Sequence, residues 1–124
     1  MKIPKKNAGN KLMHVQQSLV DDVIVLQPHG RIDGATSSSF EEQCMLHIGA
    51  GAQHVVIDLS GIDYVSSAGL RALLITAKKT KSTGGALTLC SAHGSVKEVI
   101  SLSGFDSLLG AHETASDAIA ALKK

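Results

Sequence analysis

The feature that most restricts this chain is a β-branched run, His54-Val-Val-Ile-Asp-Leu59, followed by a helical stripe and a second short apolar run. The first run is continuous rather than alternating, the pattern of a strand covered on both faces. From Ser66 or Ser67 to about Ser82, Leu70, Leu73, Leu74 and Ala77 recur at i, i+3, i+4 and i+7. That spacing leaves Arg71, Lys78, Lys79 and Lys81 for solvent. Gly84-Gly85 ends the stripe, and Ala86-Leu-Thr-Leu-Cys90 reads as another strand. Strand, helix and strand in this order imply a crossover connection and a parallel sheet.

The flanks extend the pattern. Met13–Val20 and Val23 to about Leu26 form a predicted hairpin around Asp21-Asp22. Gln27-Pro-His-Gly30 ends or bends the second strand, because Pro has no ladder donor. Thr36 to about Gly49 carries Phe40, Cys44 and Ile48 on one helical stripe, stopped by Gly49-Ala-Gly51. Ser95-Val-Lys-Glu98 has capping-box spacing and predicts a short helix with Val96, Val99 and Ile100, with Gly104 as its C-cap glycine. A weak strand near Leu108–Ala111 and a helix over Thr114–Leu122 complete the reading.

The sum is one α/β domain: a mostly parallel four- or five-stranded sheet with an antiparallel N-terminal strand, flanked by about four helices. A chain of 124 residues suits one core. Residues 1–11, with four lysines beside Asn, Gly and Pro, read as a disordered basic tail, and 12–124 as the domain.

Composition excludes several function classes. Twelve Lys and Arg against eleven Asp and Glu give a formal charge of +1, no footprint for nucleic acid. Phe40, Tyr64 and Phe105 are the only aromatics, too few for base stacking, so a partner surface is expected to rest on aliphatic and small polar groups. No apolar run approaches the ~18 residues of a membrane helix, and the basic N-terminus lacks the apolar stretch of a signal peptide. Cys44 and Cys90 lie in apolar stretches and read as buried thiols of a cytoplasmic protein. The six histidines show no metal-ligand spacing and the glycines no phosphate-loop pattern, so no metal and no cofactor are expected.

The chemistry concentrates in Val55 to Leu74, where a buried strand leads through a loop with Asp58 and Asp63 into tandem serines at a helix start. A serine there caps the helix by accepting from an N–H one turn in. The residues alone leave open whether the second serine is another plain turn residue or a modification site. As a nucleophile, Ser67 with His93 and Asp58 would need a Gly-x-Ser-x-Gly elbow, and position 65 is Val.

Taken together, Val25…Gly30-Arg-Ile-Asp33, Val55-Val-Ile-Asp-Leu-Ser60, Tyr64-Val-Ser-Ser-Ala-Gly-Leu70, Gly84-Gly-Ala-Leu-Thr-Leu89 and Ser103-Gly-Phe-Asp106 resemble the STAS domain of the anti-sigma factor antagonist family, over about Met13 to Leu122. The resemblance implies a regulatory binding protein rather than an enzyme. The unphosphorylated form would bind an anti-sigma factor that is also a GHKL-type serine kinase. Phosphorylation at the helix start would end the interaction, and a PP2C-type phosphatase would reset it. The family's phosphoserine maps to Ser67, with Ser66 as rival acceptor. Asp33, Asp63, Ser66, Ser67, Ala68, Gly69, Leu70 and Arg71 are the implied partner-binding residues. Two positions depart from the family: Ser66 stands where many members have Asp, and Ala68 where many have Ser or Thr. The alternatives are a STAS subunit of a transporter- or secretion-linked assembly, or a small serine hydrolase.

Overall fold

The structure, a computed structural model, describes residues 11–49 and 53–123. The basic-tail assignment falls outside the described residues except at Lys11, whose N–H donates to the Ala35 carbonyl at 2.6 Å.

The chain opens with β1 (Val15–Val20) and β2 (Val23–Pro28), an antiparallel pair in the predicted register, Val20 opposite Val23. Asp21 and Asp22 both have positive φ, 50° and 69°, the requirement of the two-residue turn whose twist matches a hairpin. Then come β3 (Gly30–Ile32), α1 (Ser37–Ile48), β4 (His54–Asp58), β5 (Ile62–Val65), α2 (Ser67–Ser82) and β6 (Ala86–Cys90). The chain finishes with α3 (Gly94–Leu102), α4 (Phe105–Leu109), β7 (Ala111–His112) and α5 (Ala115–Leu122).

The main sheet has the order β1-β2-β4-β6-β7, parallel in every pair but the first. Strand β4 lies in its middle. Val55 and Ile57 face a core closed by Phe40 and Cys44 of α1, Leu73 and Ala77 of α2, and Val96 and Ile100 of α3. Val56 faces the other way, with Val23, Val25 and Cys90, onto Ala118 of α5. The continuous apolar run of β4 is thus explained by helices on both faces. Cys44 and Cys90 are unpaired and buried; burial pushes their thiols up to about 12 and about 11, leaving them unreactive. Among the described residues no helix is long and apolar enough to cross a membrane.

Three local readings need correction. Strands β3 and β5 form a separate parallel pair that the pattern did not reveal. The predicted capping box at Ser95 is not made: α3 begins at Gly94 after His93, without a side-chain cap. The strand expected near Leu108–Ala111 is split between α4, a short helix with no buried residue, and the two-residue β7. Helix α4 makes five helices among the described residues, in keeping with the about four expected. Gly104 does stand in the left-handed conformation (φ +81°) that follows α3.

Candidate functional site

Strands β3 and β5 matter because they deliver the start of α2. Ile32 pairs with Val65, and the N–H of the next residue, Ser66, donates to the Ile32 carbonyl at 3.0 Å. Ser66 has extended backbone (φ −89°, ψ 178°), and its carbonyl accepts the first helical bond, from Leu70 N–H at 2.8 Å. Its hydroxyl accepts from the Gly69 N–H at 3.1 Å. This is the full geometry of an N-cap. Gly69 is buried, and a Cβ there would run into the Ile32 carbonyl, so only glycine lets the first turn of α2 lie against β3.

The tandem serines therefore differ. Ser66 is half-buried and its hydroxyl is used by the helix. Ser67, the first helical residue, is exposed, and its hydroxyl makes no hydrogen bond among the described residues. Helix geometry also leaves the N–H groups of Ser67 and Ala68 without intrahelical acceptors. Ala68 and Leu70 are half-buried, Leu70 against the main core, while Arg71 and Asp63 are exposed.

Asp33 follows β3 directly and organises the turn into α1. One oxygen, Oδ1, accepts from the N–H groups of Ala35 (3.0 Å) and Thr36 (3.2 Å); the other, Oδ2, accepts from Arg31 Nε at 3.3 Å. Thr36 closes the turn, its hydroxyl donating to the Arg31 carbonyl at 2.6 Å and accepting from Asp33 N–H at 3.0 Å. Burial opposes the Asp33 charge, but the bonds from Ala35, Arg31 and Thr36 outweigh it and hold the carboxyl below its usual range.

Two residues absent from the candidate set join this surface. Arg31 and Tyr64 are register partners in the β3–β5 pair, and the Arg31 guanidinium lies over the Tyr64 ring, 4.3 Å from its centroid. Tyr64 is 39% exposed, so this face presents an aromatic ring beside the aliphatic and small polar groups expected there. The signal was the alternation of buried Ile32 and Val65 with exposed Arg31 and Tyr64, legible only once the two segments are known to be strands.

Asp58 ties the neighbouring loops together. It is buried at the end of β4 and accepts from Ser60 N–H (2.9 Å) and Gln27 Nε2 (3.1 Å). Burial pushes its pKa up, but hydrogen bonds from Ser60, Gln27 and Ser91 prevail and lower it. His93 Nε2 lies 3.0 Å from the Ser60 carbonyl. His93 and Asp58 of the hydrolase alternative are thus committed elsewhere, and no hydrogen bond joins Ser67 to His93 or His93 to Asp58 among the described residues. No group of three or more His, Cys, Asp or Glu suited to a metal occurs among the described residues.

Comparison with known proteins agrees with this architecture. The STAS domain family model matches residues 14–118. A relative from Bordetella bronchiseptica, named "putative anti-sigma factor antagonist BtrV", is 32% identical over 111 residues, covering 90% of this chain and 96% of the relative. The crystal structure of an anti-sigma factor antagonist from Mycobacterium paratuberculosis superposes with a TM-score of 0.76 at 28% identity, covering 90% of this chain and 95% of that one. A Thermotoga maritima crystal structure reaches 0.78 at 24% identity, over 89% and 95% of the two chains, and shares the fold. With a family match running from ahead of β1 into α5, and a relative this similar over nearly its whole length, the chain belongs to the STAS domain family.

Proposed function

We propose that this protein is an anti-sigma factor antagonist that works by partner switching in the cytoplasm. In its unphosphorylated form it binds an anti-sigma factor, a serine kinase of the GHKL type, over the surface around the start of α2. The kinase phosphorylates Ser67, the complex dissociates, and a PP2C-type phosphatase restores the binding form. The names of similar proteins support the partner class. The observation that carries the phosphosite is the division between the serines: Ser66 is consumed as the cap, whereas Ser67 offers an exposed hydroxyl.

The energetics favour a switch that acts on binding rather than folding. A phosphate adds about −1.5 to −2 charge, and a helix N-terminus stabilises an anion by ~0.3–1 kcal/mol, so the modified domain keeps its fold. Enclosed in an interface without a counter-charge, the same group costs about 3 kcal/mol or more. Each ~1.4 kcal/mol is tenfold in affinity, so the interface effect alone gives about a hundredfold release.

The test is retention of the anti-sigma factor by immobilised wild type, Ser67→Ala and Ser67→Asp, with each variant shown to be folded by circular dichroism. Wild type and Ser67→Ala should retain it and Ser67→Asp should lose it. Equal retention by all three would refute the switch.

A further inference from the structure

The Arg31–Tyr64 pair is the most organised exposed feature beside the α2 start. The Arg31 side chain is 59% exposed, yet held on two sides: its Cζ lies over the Tyr64 ring and its Nε donates to Asp33 Oδ2. Asp33 is in turn immobilised, because its other oxygen holds the turn into α1. An arginine has five N–H donors in a rigid fork. Here one is used by Asp33, and the four on the two Nη atoms have no acceptor among the described residues.

We propose that Arg31, held on Tyr64, is the anchor by which this surface takes a single carboxylate of its partner. The inference rests on the proposed function and adds the chemistry of recognition. The paired Nη groups match two carboxylate oxygens, a bidentate geometry that a lysine does not offer. Stacking orders the side chain before binding, so less side-chain freedom is lost on docking. Arg and Tyr are also the residue types enriched among the few positions that dominate interface energy. Asp33 lies beside the cation and takes one of its donors, so the remaining donors suit one acidic side chain rather than a polyanion such as nucleic acid.

The position connects recognition to release. Arg31 lies one residue before Ile32, whose carbonyl accepts from Ser66 N–H, and its register partner Tyr64 lies two residues before Ser66, so the β3–β5 pair carries the anchor next to the α2 start. An acid seated on Arg31 is a charge that a phosphate on Ser67 repels.

The test titrates the purified anti-sigma factor that wild type retains against wild type, Arg31→Glu, Arg31→Gln, Arg31→Lys, Tyr64→Leu and Ser67→Asp. Thermal unfolding checks the fold of each variant, and Arg31→Gln removes the charge with little change in shape should Arg31→Glu misfold. Arg31→Glu should weaken binding by at least a hundredfold, Arg31→Gln by tens of fold, Arg31→Lys by about tenfold and Tyr64→Leu by several fold. Exchanging the partner's acid for lysine should restore binding to Arg31→Glu, a rescue that a merely structural role does not predict. Binding by folded Arg31→Gln within twofold of wild type, while Ser67→Asp is lost, would overturn the anchor and leave the switch standing. Equal binding of Ser67→Asp and wild type, with Arg31→Glu lost, would overturn the switch and keep the anchor. A wild type that binds no anti-sigma factor would overturn both.

Discussion

Two helices, α2 and α3, start in loops on the same side of the molecule, and only one of them has a side-chain cap. At α2 the chain enters extended, Ser66 caps Gly69 N–H, and the first turn is clamped against Ile32. At α3 the chain passes through Ser91 (φ +63°) and Gly94 (φ +56°), and His93 stands at the cap position with its ring beside the Ser60 carbonyl instead. Ser95 and Glu98 have the spacing of a capping box, but α3 has already begun before Ser95. A cap depends on where tertiary contacts set the helix start as well as on which serine is available. At α2 that contact frees the second serine for another use.

The sharpest way to break this comparison is to add one methyl group to each start. Gly69→Ala should destabilise the protein by about 3 kcal/mol in urea unfolding, because the new Cβ meets a backbone carbonyl that cannot swing away. A helix-interior Gly→Ala change ordinarily gains about 1 kcal/mol, so a neutral or stabilising result would show that the close approach is absent. Gly94→Ala meets no atom and should cost only about 1 kcal/mol, the strain of a left-handed alanine.

Asp58 bonds to the loop before α2 through Ser60 N–H and back to β2 through Gln27 Nε2. Its folded-state pKa is lowered from 3.8, so its contribution is complete above the unfolded value and is lost as pH falls through the lower folded one. Unfolding free energies measured from neutral pH to below about pH 4 should fall more steeply for wild type than for Asp58→Asn. Parallel curves would remove Asp58 as the pin between β2 and the loop before α2.

The smallest effects separate the serines. Ser66→Ala should cost about 1 kcal/mol of stability, the usual loss for a helix cap. Ser95→Ala should stay within about 0.5 kcal/mol, as for a surface position without a special role. Equal losses at the two positions would mean that α3 is capped by Ser95 after all.

The same contrast shows what a sequence reader can and cannot see. Strands β2, β4 and β6 were legible as continuous apolar runs, and α2 from its helical stripe, of which Leu73 and Ala77 are buried and Leu70 and Leu74 half-buried. The β3–β5 pair was not, since Gly30–Ile32 offers one buried side chain and Ile62–Val65 only its two ends, and their pairing comes from distant parts of the chain. Helix α4 has only five residues, with Phe105 and Leu109 partly buried against the core and none fully buried, too short a stretch to show a period. At the site, Asp33 and the serines were visible as residues, but two identical serines in tandem cannot be told apart without the backbone angles that make Ser66 the cap. Arg31 and Tyr64 were invisible as a pair for the reason β3 and β5 were.

The central claim is that Ser66 holds the helix and Ser67 carries the switch. Its most direct test is phosphosite mapping by tandem mass spectrometry after incubating wild type, Ser66→Ala and Ser67→Ala with ATP and the kinase partner. The account predicts phosphate on Ser67 in wild type and in Ser66→Ala, and none in Ser67→Ala. Phosphate on Ser66 in wild type, or undiminished labelling of Ser67→Ala, would contradict it.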